Sequence, residues 1–277
     1  MAPPTSKPRT DDKSELISEL NSRASFVASK LGIEVAAIHQ KLPHLESGYE
    51  IKPATDRSVA SLIDHTILKT NATAQQVEVL CKEAIEHNFF SVCVNGSRVA
   101  QCCELLKETP VKVAAVIGFP LGAMTTEAKV FETTELVKLG AGEIDMVLNV
   151  GFLLDGDYKY VCDEIAAIKK ACGDVTLKVI FETCELDRSQ VIDCCLLSAM
   201  ANADFVKTST GFGKGGATVE HINVMKMIVG DVLEVKASGG VRSYETALDM
   251  VYNGATRLGT SSGIAIVSKK TAAGGTY

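Results

Sequence analysis

The chain has 277 residues, 46% of them apolar and 22% charged, with no tryptophan and a formal net charge of -6. That is the balance of a globular chain long enough for a large core. The negative charge excludes bulk electrostatic attraction to nucleic acid or to an anionic membrane, so any phosphate has to be held locally. Nine cysteines, an odd number without Cys-x-x-Cys, fall mostly on apolar helix faces and read as packed free thiols. They imply a reducing compartment, and with no long apolar run and no signal-peptide core the expected location is cytoplasmic. Five scattered histidines (39, 44, 65, 87, 221) lack the spacing of a metal site, so none is expected.

Residues 1 to about 13, with three prolines and mixed charges, read as disordered. A helix follows, with Asp12 and Glu15 spaced as an N-cap and its partner and with Ile17, Leu20, Ala24, Val27 and Leu31 on one stripe before Gly32. A weaker helical piece reaches about Lys41, and residues 43–56 read as linker. Residues 1–57 thus form an extension with no catalytic pattern, which packs on the main body or joins it to something else.

From Ser61 onward short apolar runs alternate with amphipathic helices. The predicted strands are 61–64, 90–94, 111–117, 143–148, 176–181, 204–207, 232–236 and 256–258. The first intervening helix has Thr73 and Gln76 as a capping box and Val77, Leu80, Cys81, Ala84 and Ile85 on one face. Eight strand-helix repeats predict an α/β fold closed as a (β/α)8 TIM barrel over residues 58–268, with residues 269–277 as a flexible tail. An open doubly wound sheet would place a glycine-rich nucleotide loop after its first strand, where this chain has His65-Thr66-Ile67.

In such a barrel the reacting groups stand at the C-terminal ends of several strands. Asp64 is expected to end the first, with Thr66 beyond it; Asp145 lies on the fourth, Lys178 inside the fifth, Lys207 at the end of the sixth and Lys236 at the end of the seventh. Lys207 and Lys236 come from neighbouring strands, and like charges so close disfavour double protonation. One amine should therefore be neutral and nucleophilic toward a carbonyl. Asp145 can position a water and shuttle protons, with Lys178 or Lys236 as cationic support. The bland alternative is a set of ion pairs closing the top of the barrel, although buried ion networks are weak stabilisers. Glycine-serine loops follow the last strands: Ser238-Gly239-Gly240, then Gly259-Thr260-Ser261-Ser262, which opens a short helix. With Thr208 to Gly211 beside them, they suit a phosphate held by backbone amides.

The blocks Asp204-Phe205-Val206-Lys207-Thr208-Ser209-Thr210-Gly211, Val235-Lys236-Ala237-Ser238-Gly239-Gly240, Glu143-Ile144-Asp145-Met146-Val147 and Leu177-Lys178-Val179-Ile180-Phe181-Glu182-Thr183 together resemble deoxyribose-phosphate aldolases. Asp64-His65-Thr66, Ser91-Val92-Cys93-Val94 and Ile117-Gly118-Phe119-Pro120 extend the resemblance, which covers about residues 58 to 268. It implies a class I aldolase needing neither metal nor cofactor, acting on small phosphosugar and aldehyde substrates. It further implies Lys207 as Schiff-base lysine, Lys236 as the neighbour lowering its pKa, and Asp145 as proton relay. Asp64, Thr66, Lys178 and Thr208 would line the substrate pocket, and Gly211, Gly239, Gly240, Gly259, Ser261 and Ser262 its phosphate end. Cys93 resembles a pocket-side cysteine without an essential role, and Tyr277 a mobile terminal tyrosine. Phe212 and Ala237 depart from members with Lys and Pro there. The sequence admits a homodimer without fixing the assembly. Two rivals stay open: a phosphosugar isomerase using Asp145 and Lys178 without covalent chemistry, and an idle barrel serving as a binding scaffold through residues 1–57.

Overall fold

The computed structural model describes residues 13–269 except residue 55. The expected disordered start, the Asp12 cap and the tail ending in Tyr277 lie outside the described residues.

The strands β1 (Ile63–Ile67), β2 (Ser91–Asn95), β3 (Lys112–Ile117), β4 (Glu143–Val147), β5 (Thr176–Ile180), β6 (Phe205–Lys207), β7 (Glu234–Ser238) and β8 (Arg257–Thr260) pair in parallel in chain order. β8 then returns to β1, with Asp64 opposite Gly259, and this pairing closes the (β/α)8 barrel. An open sheet would leave both outer strands unpaired.

Two helices precede the barrel, α1 (Lys13–Leu31) and α2 (Val35–Lys41). Around it run α3 (Ala74–Glu86), α4 (Val99–Leu106), α5 (Thr126–Lys138), α6 (Val150–Leu154), α7 (Tyr158–Cys172), α8 (Arg188–Met200), α9 (Val219–Val229), α10 (Tyr244–Tyr252) and α11 (Gly263–Val267). Their starts follow local chemistry. Thr73 and Gln76 form the expected reciprocal cap on α3, and Asp187 with Gln190 does the same on α8. On α3 the residues Val77, Leu80, Cys81 and Ala84 are buried against the sheet, but Ile85, expected beside them, is exposed. Among the described residues no helix is long and apolar enough to cross a membrane.

The extension is packed on the barrel. Leu16, Leu20, Ala24, Val27 and Ala28 of α1 are buried in the same core as the outer face of α8. Arg23 forks onto the buried carboxylate of Asp193 on α8, which also accepts from Tyr158 Oη at 2.6 Å. The expected linker 43–56 is in part folded structure: Pro43–Leu45 make a 3-10 turn, Leu45 is fully buried, and the His44 imidazole bonds the Ile228 carbonyl at 2.8 Å. Apolar content near a proline-started turn outweighs the loop-like composition there.

Three strands start or end at least two residues later in the chain than expected. Residues 60–62 form a 3-10 turn, so β1 starts at Ile63 and Asp64 is its second residue, not its last. Val232 is exposed and bonds back to Val229 in the turn after α9, so β7 starts at Glu234 and Lys236 is its middle residue. β8 continues through Gly259 and Thr260, which were expected in the following loop. Before β1 and β7 a turn takes apolar residues that a composition reading assigns to the strand.

Candidate active site

Side chains alternate along a strand, so Asp64 and Thr66 share one face of β1, and Glu143 and Asp145 share one face of β4. In the closed barrel these faces meet Lys178, Lys207 and Lys236 in the interior. Asp145 is at the centre. Its Oδ1 accepts from Lys178 Nζ at 2.7 Å, and its Oδ2 accepts from both Lys207 Nζ and Lys236 Nζ at 2.8 Å. Lys236 also donates to Asp64, and Lys178 to Glu143 Oε2 at 2.7 Å. The lysines are not at one depth. Lys207 is level with Lys236 and with Ile180, whereas Lys178 is level with Asp145 and Phe205, nearer the closed end.

Electrostatics separates the amines. Burial lowers the Lys207 pKa below the usual lysine value; Asp145 pulls it back up and Lys236 pushes it down again. For Lys236 burial acts in the same downward direction, but Asp145 and Asp64 outweigh it and hold the ammonium well above the usual value. Burial would raise Asp145, yet Lys178, Lys207 and Lys236 outweigh it and hold the carboxyl well below the usual range. Asp64 is lowered too, its burial overcome by Lys236 and Arg257. Crowding and burial thus leave a buried carboxylate ion between a retained ammonium and one weakened amine. The cause differs in emphasis from like-charge repulsion alone, because desolvation is the larger influence on Lys207.

A weakened amine at a strand end inside a (β/α)8 barrel is equipped to attack a carbonyl, which is aldolase chemistry. A family model described as DeoC/LacD family aldolase matches residues 58–269. The chain belongs to the DeoC/LacD aldolase family. It is 56% identical over 206 residues to deoxyribose-phosphate aldolase 1 of Vibrio vulnificus, covering 74% of this chain and 94% of that one. Among solved structures it resembles a putative deoxyribose-phosphate aldolase from Coccidioides immitis, with a TM-score of 0.77 at 37% identity over 90% of this chain and 96% of the other. A tetrameric deoxyribose phosphate aldolase from Aeropyrum pernix gives a TM-score of 0.71 at 28% identity, over 91% and 96%. Both structural alignments reach past the barrel into the N-terminal extension.

In this DeoC/LacD aldolase the other expected site residues lie in the last residues of the strands or in the loops just beyond them. Gly240 and Ser261 are exposed there, Gly211 and Ser262 half-exposed, and Gly239 buried. Gly211, Gly239 and Gly240 have φ of 86°, 83° and 80°, a region that favours glycine. Gly239 also lies so close to Gly216 that a side chain on Gly216 would strike its carbonyl. Thr66 and Ser261 line one cleft with His65 and Lys69. Gly259 lies within β8, where its missing side chain makes room for the Lys236 stem and Ser238. The Thr208 hydroxyl accepts from Ser238 N at 3.1 Å and donates to Ser238 O at 2.9 Å, joining β6 to β7. Cys93 is buried in the interior, and burial raises its thiol pKa.

Sequence reasoning missed three members of this aldolase interior. Glu143 bonds Lys178, Arg257 bonds Asp64 and Glu143, and Ser91 donates to Asp64 Oδ1 at 2.7 Å. A signal existed for two of them. Glu143 stands two residues before Asp145 on one strand, and Arg257 lies inside the predicted eighth strand, so each was a charged residue in a β-rich run. A fourth omission, outside that interior, is Glu182 beyond β5, which is buried at φ 55° and accepts from the hydroxyl and amide of Thr210.

Proposed function

We propose that this family member is a deoxyribose-phosphate aldolase that cleaves 2-deoxy-D-ribose 5-phosphate reversibly to D-glyceraldehyde 3-phosphate and acetaldehyde through a Schiff base on Lys207. The observation that carries the residue assignment is the shared oxygen: Lys207 and Lys236 both donate to Asp145 Oδ2, one amine weakened and the other secured as an ammonium. The neutral Lys207 amine adds to the C1 carbonyl, and water leaves to give an imine. The protonated imine draws electrons from the C2–C3 bond as the C3 hydroxyl gives up its proton, releasing glyceraldehyde 3-phosphate and an enamine. Protonation at C2 and hydrolysis then return acetaldehyde and free Lys207. Asp145 lies in contact with both amines and can relay protons between them through its Oδ2 or an intervening water. Lys178 and Asp64 fix that carboxylate and Lys236 in place. The rim formed by Gly211, Gly239, Gly240, Ser261 and Ser262 would hold the phosphate with backbone amides and hydroxyls. The reading needs no metal, places the enzyme in the cytoplasm, and is compatible with a homodimer.

Treatment with acetaldehyde and borohydride, followed by peptide mapping, tests the assignment. Wild-type protein should carry one reduced adduct on Lys207, and Lys207→Ala should carry none and lose turnover while remaining folded. A Lys207→Ala protein that is still labelled at another residue and turns over would show that the covalent step lies elsewhere, and wild-type protein insensitive to borohydride in the presence of substrate would favour a non-covalent isomerase.

A further inference from the structure

The closed end of the barrel holds a guanidinium that the reaction does not use. Arg257, the first residue of β8, is 5% exposed. Its Nη1 donates to Asp64 Oδ1 at 3.0 Å and to Glu143 Oε2 at 2.9 Å, and its Cζ lies 3.4 Å from the centre of the Phe90 ring.

Around the interior the charged and titratable groups are Asp64 from β1, Glu143 and Asp145 from β4, Lys178 from β5, Lys207 from β6, Lys236 from β7 and Arg257 from β8. β2 adds the Cys93 thiol, raised by burial, and Ser91; β3 adds only Ala114 and Val116. Four basic side chains therefore face three carboxylates. An unmatched buried charge is more costly than a neutral amine, so one proton is surplus. Arginine cannot give it up. Lys178 rests on two carboxylates, Glu143 and Asp145, and Lys236 on two, Asp64 and Asp145. Lys207 has Asp145 alone, shared with both others.

We propose that Arg257 is a positioning residue whose permanent charge, clamped between Asp64 and Glu143, makes Lys207 the surplus cation of the cluster. This deepens the Schiff-base reading of Lys207 and rests on it for its catalytic meaning. Without Arg257 three lysines would face three carboxylates, and Lys207 could keep its proton.

The experiment compares Arg257→Met, Glu143→Gln and the double variant. Two readouts are taken: the pH profile of kcat/KM, and the pH dependence of Lys207 acylation by acetic anhydride followed by mass spectrometry, which needs no aldol chemistry. Arg257→Met should move the acid limb and the acylation midpoint upward by about one pH unit, a tenfold change in proton affinity. Glu143→Gln should move both downward. The double variant restores one surplus cation and should return both close to the wild-type position. A merely structural Arg257 would lower activity evenly and move neither midpoint, and that result overturns the proposal. If Arg257→Met does not fold, Glu143→Gln and the charge-matched double variant carry the same comparison, and equal midpoints in those two overturn it. Shifted acylation midpoints in a protein that borohydride never labels would defeat the Schiff-base reading and leave the charge argument standing; labelling without any shift would do the reverse.

Discussion

Lys207 and Lys236 donate to the same carboxylate oxygen, Asp145 Oδ2, each across 2.8 Å. Their nitrogens are therefore within twice that distance of each other, inside a region from which water is largely excluded. Two ammonium ions there would repel strongly, and a carboxylate between them can neutralise only one.

Replacing Lys236 by Met removes the retained ammonium and leaves Asp145 to Lys207. The Lys207 amine then binds its proton more tightly. Because turnover requires the neutral amine, activity is lost as pH falls through its folded pKa, and the acid limb of kcat/KM should move upward. At neutral pH kcat should drop about 100-fold or more, the scale of a lost proton-transfer partner. Steady-state rates from about pH 5 to about pH 9 decide the matter; a wild-type profile in Lys236→Met would disprove the coupling.

Lys207 should also be a stability liability. Burial, with Lys236 adding to it and Asp145 opposing it, lowers the folded pKa, while the unfolded chain binds the proton with ordinary affinity. The resulting penalty is complete below the folded pKa and disappears as pH rises toward the ordinary lysine value of about 10.4. Lys207→Met should therefore melt above wild type at neutral pH, by about 2–4 °C per kcal/mol relieved, with the gap narrowing toward pH about 10. Calorimetry across that range reads it, and equal melting temperatures at every pH would count against a strained amine.

Glu182 combines a left-handed backbone, φ 55°, with a buried carboxylate accepting from Thr210, immediately before Gly211. A non-glycine residue in that conformation is retained only where its surroundings demand it. Glu182→Ala should release the Thr210–Gly211 turn and raise KM for the phosphorylated sugar about tenfold, or about 1.4 kcal/mol, with little change in kcat. Glu182→Gln keeps an acceptor and should stay within about twofold. Kinetics on 2-deoxyribose lacking the phosphate provide the control, and equal losses on both sugars would refute a phosphate-end role.

The extension should be held on by one ion pair more than by any other polar contact. Arg23 meets Asp193, which is fully buried and also bonded by Tyr158. Arg23→Ala strands that carboxylate and should cost about 2–4 kcal/mol, somewhat less than a wholly buried pair because the Arg23 side chain is 22% exposed. Turnover per folded molecule should be unchanged, since the contact lies on the outer face of α8. Urea unfolding gives the answer; an unmoved midpoint would mean that α1 contributes nothing there.

Much of this molecule is legible in one dimension. The eightfold alternation, the α3 capping box, the glycine-serine loops and the lysine-bearing strands are local patterns, and each appears where the sequence places it to within a few residues. The errors share a cause. Residues 60–62 and Val232 are apolar or β-prone, but they lie in turns whose hydrogen bonds close over three residues, so the strands beginning beyond them were read early. The extension is harder to read for the opposite reason, since Leu42 and Leu45 next to Pro43 are buried only through the core they share with the barrel and its helices.

By itself the sequence determined the closed barrel, the family and the lysine at the end of the sixth strand, because periodicity and motif order are properties of neighbouring residues. Only the tertiary structure decided that Asp145 is shared by three lysines and that Glu143 and Arg257 complete the charge balance beneath it. Protonation depends on every charge within a few ångströms, and here those charges come from strands far apart in the chain, brought together when β8 pairs with β1.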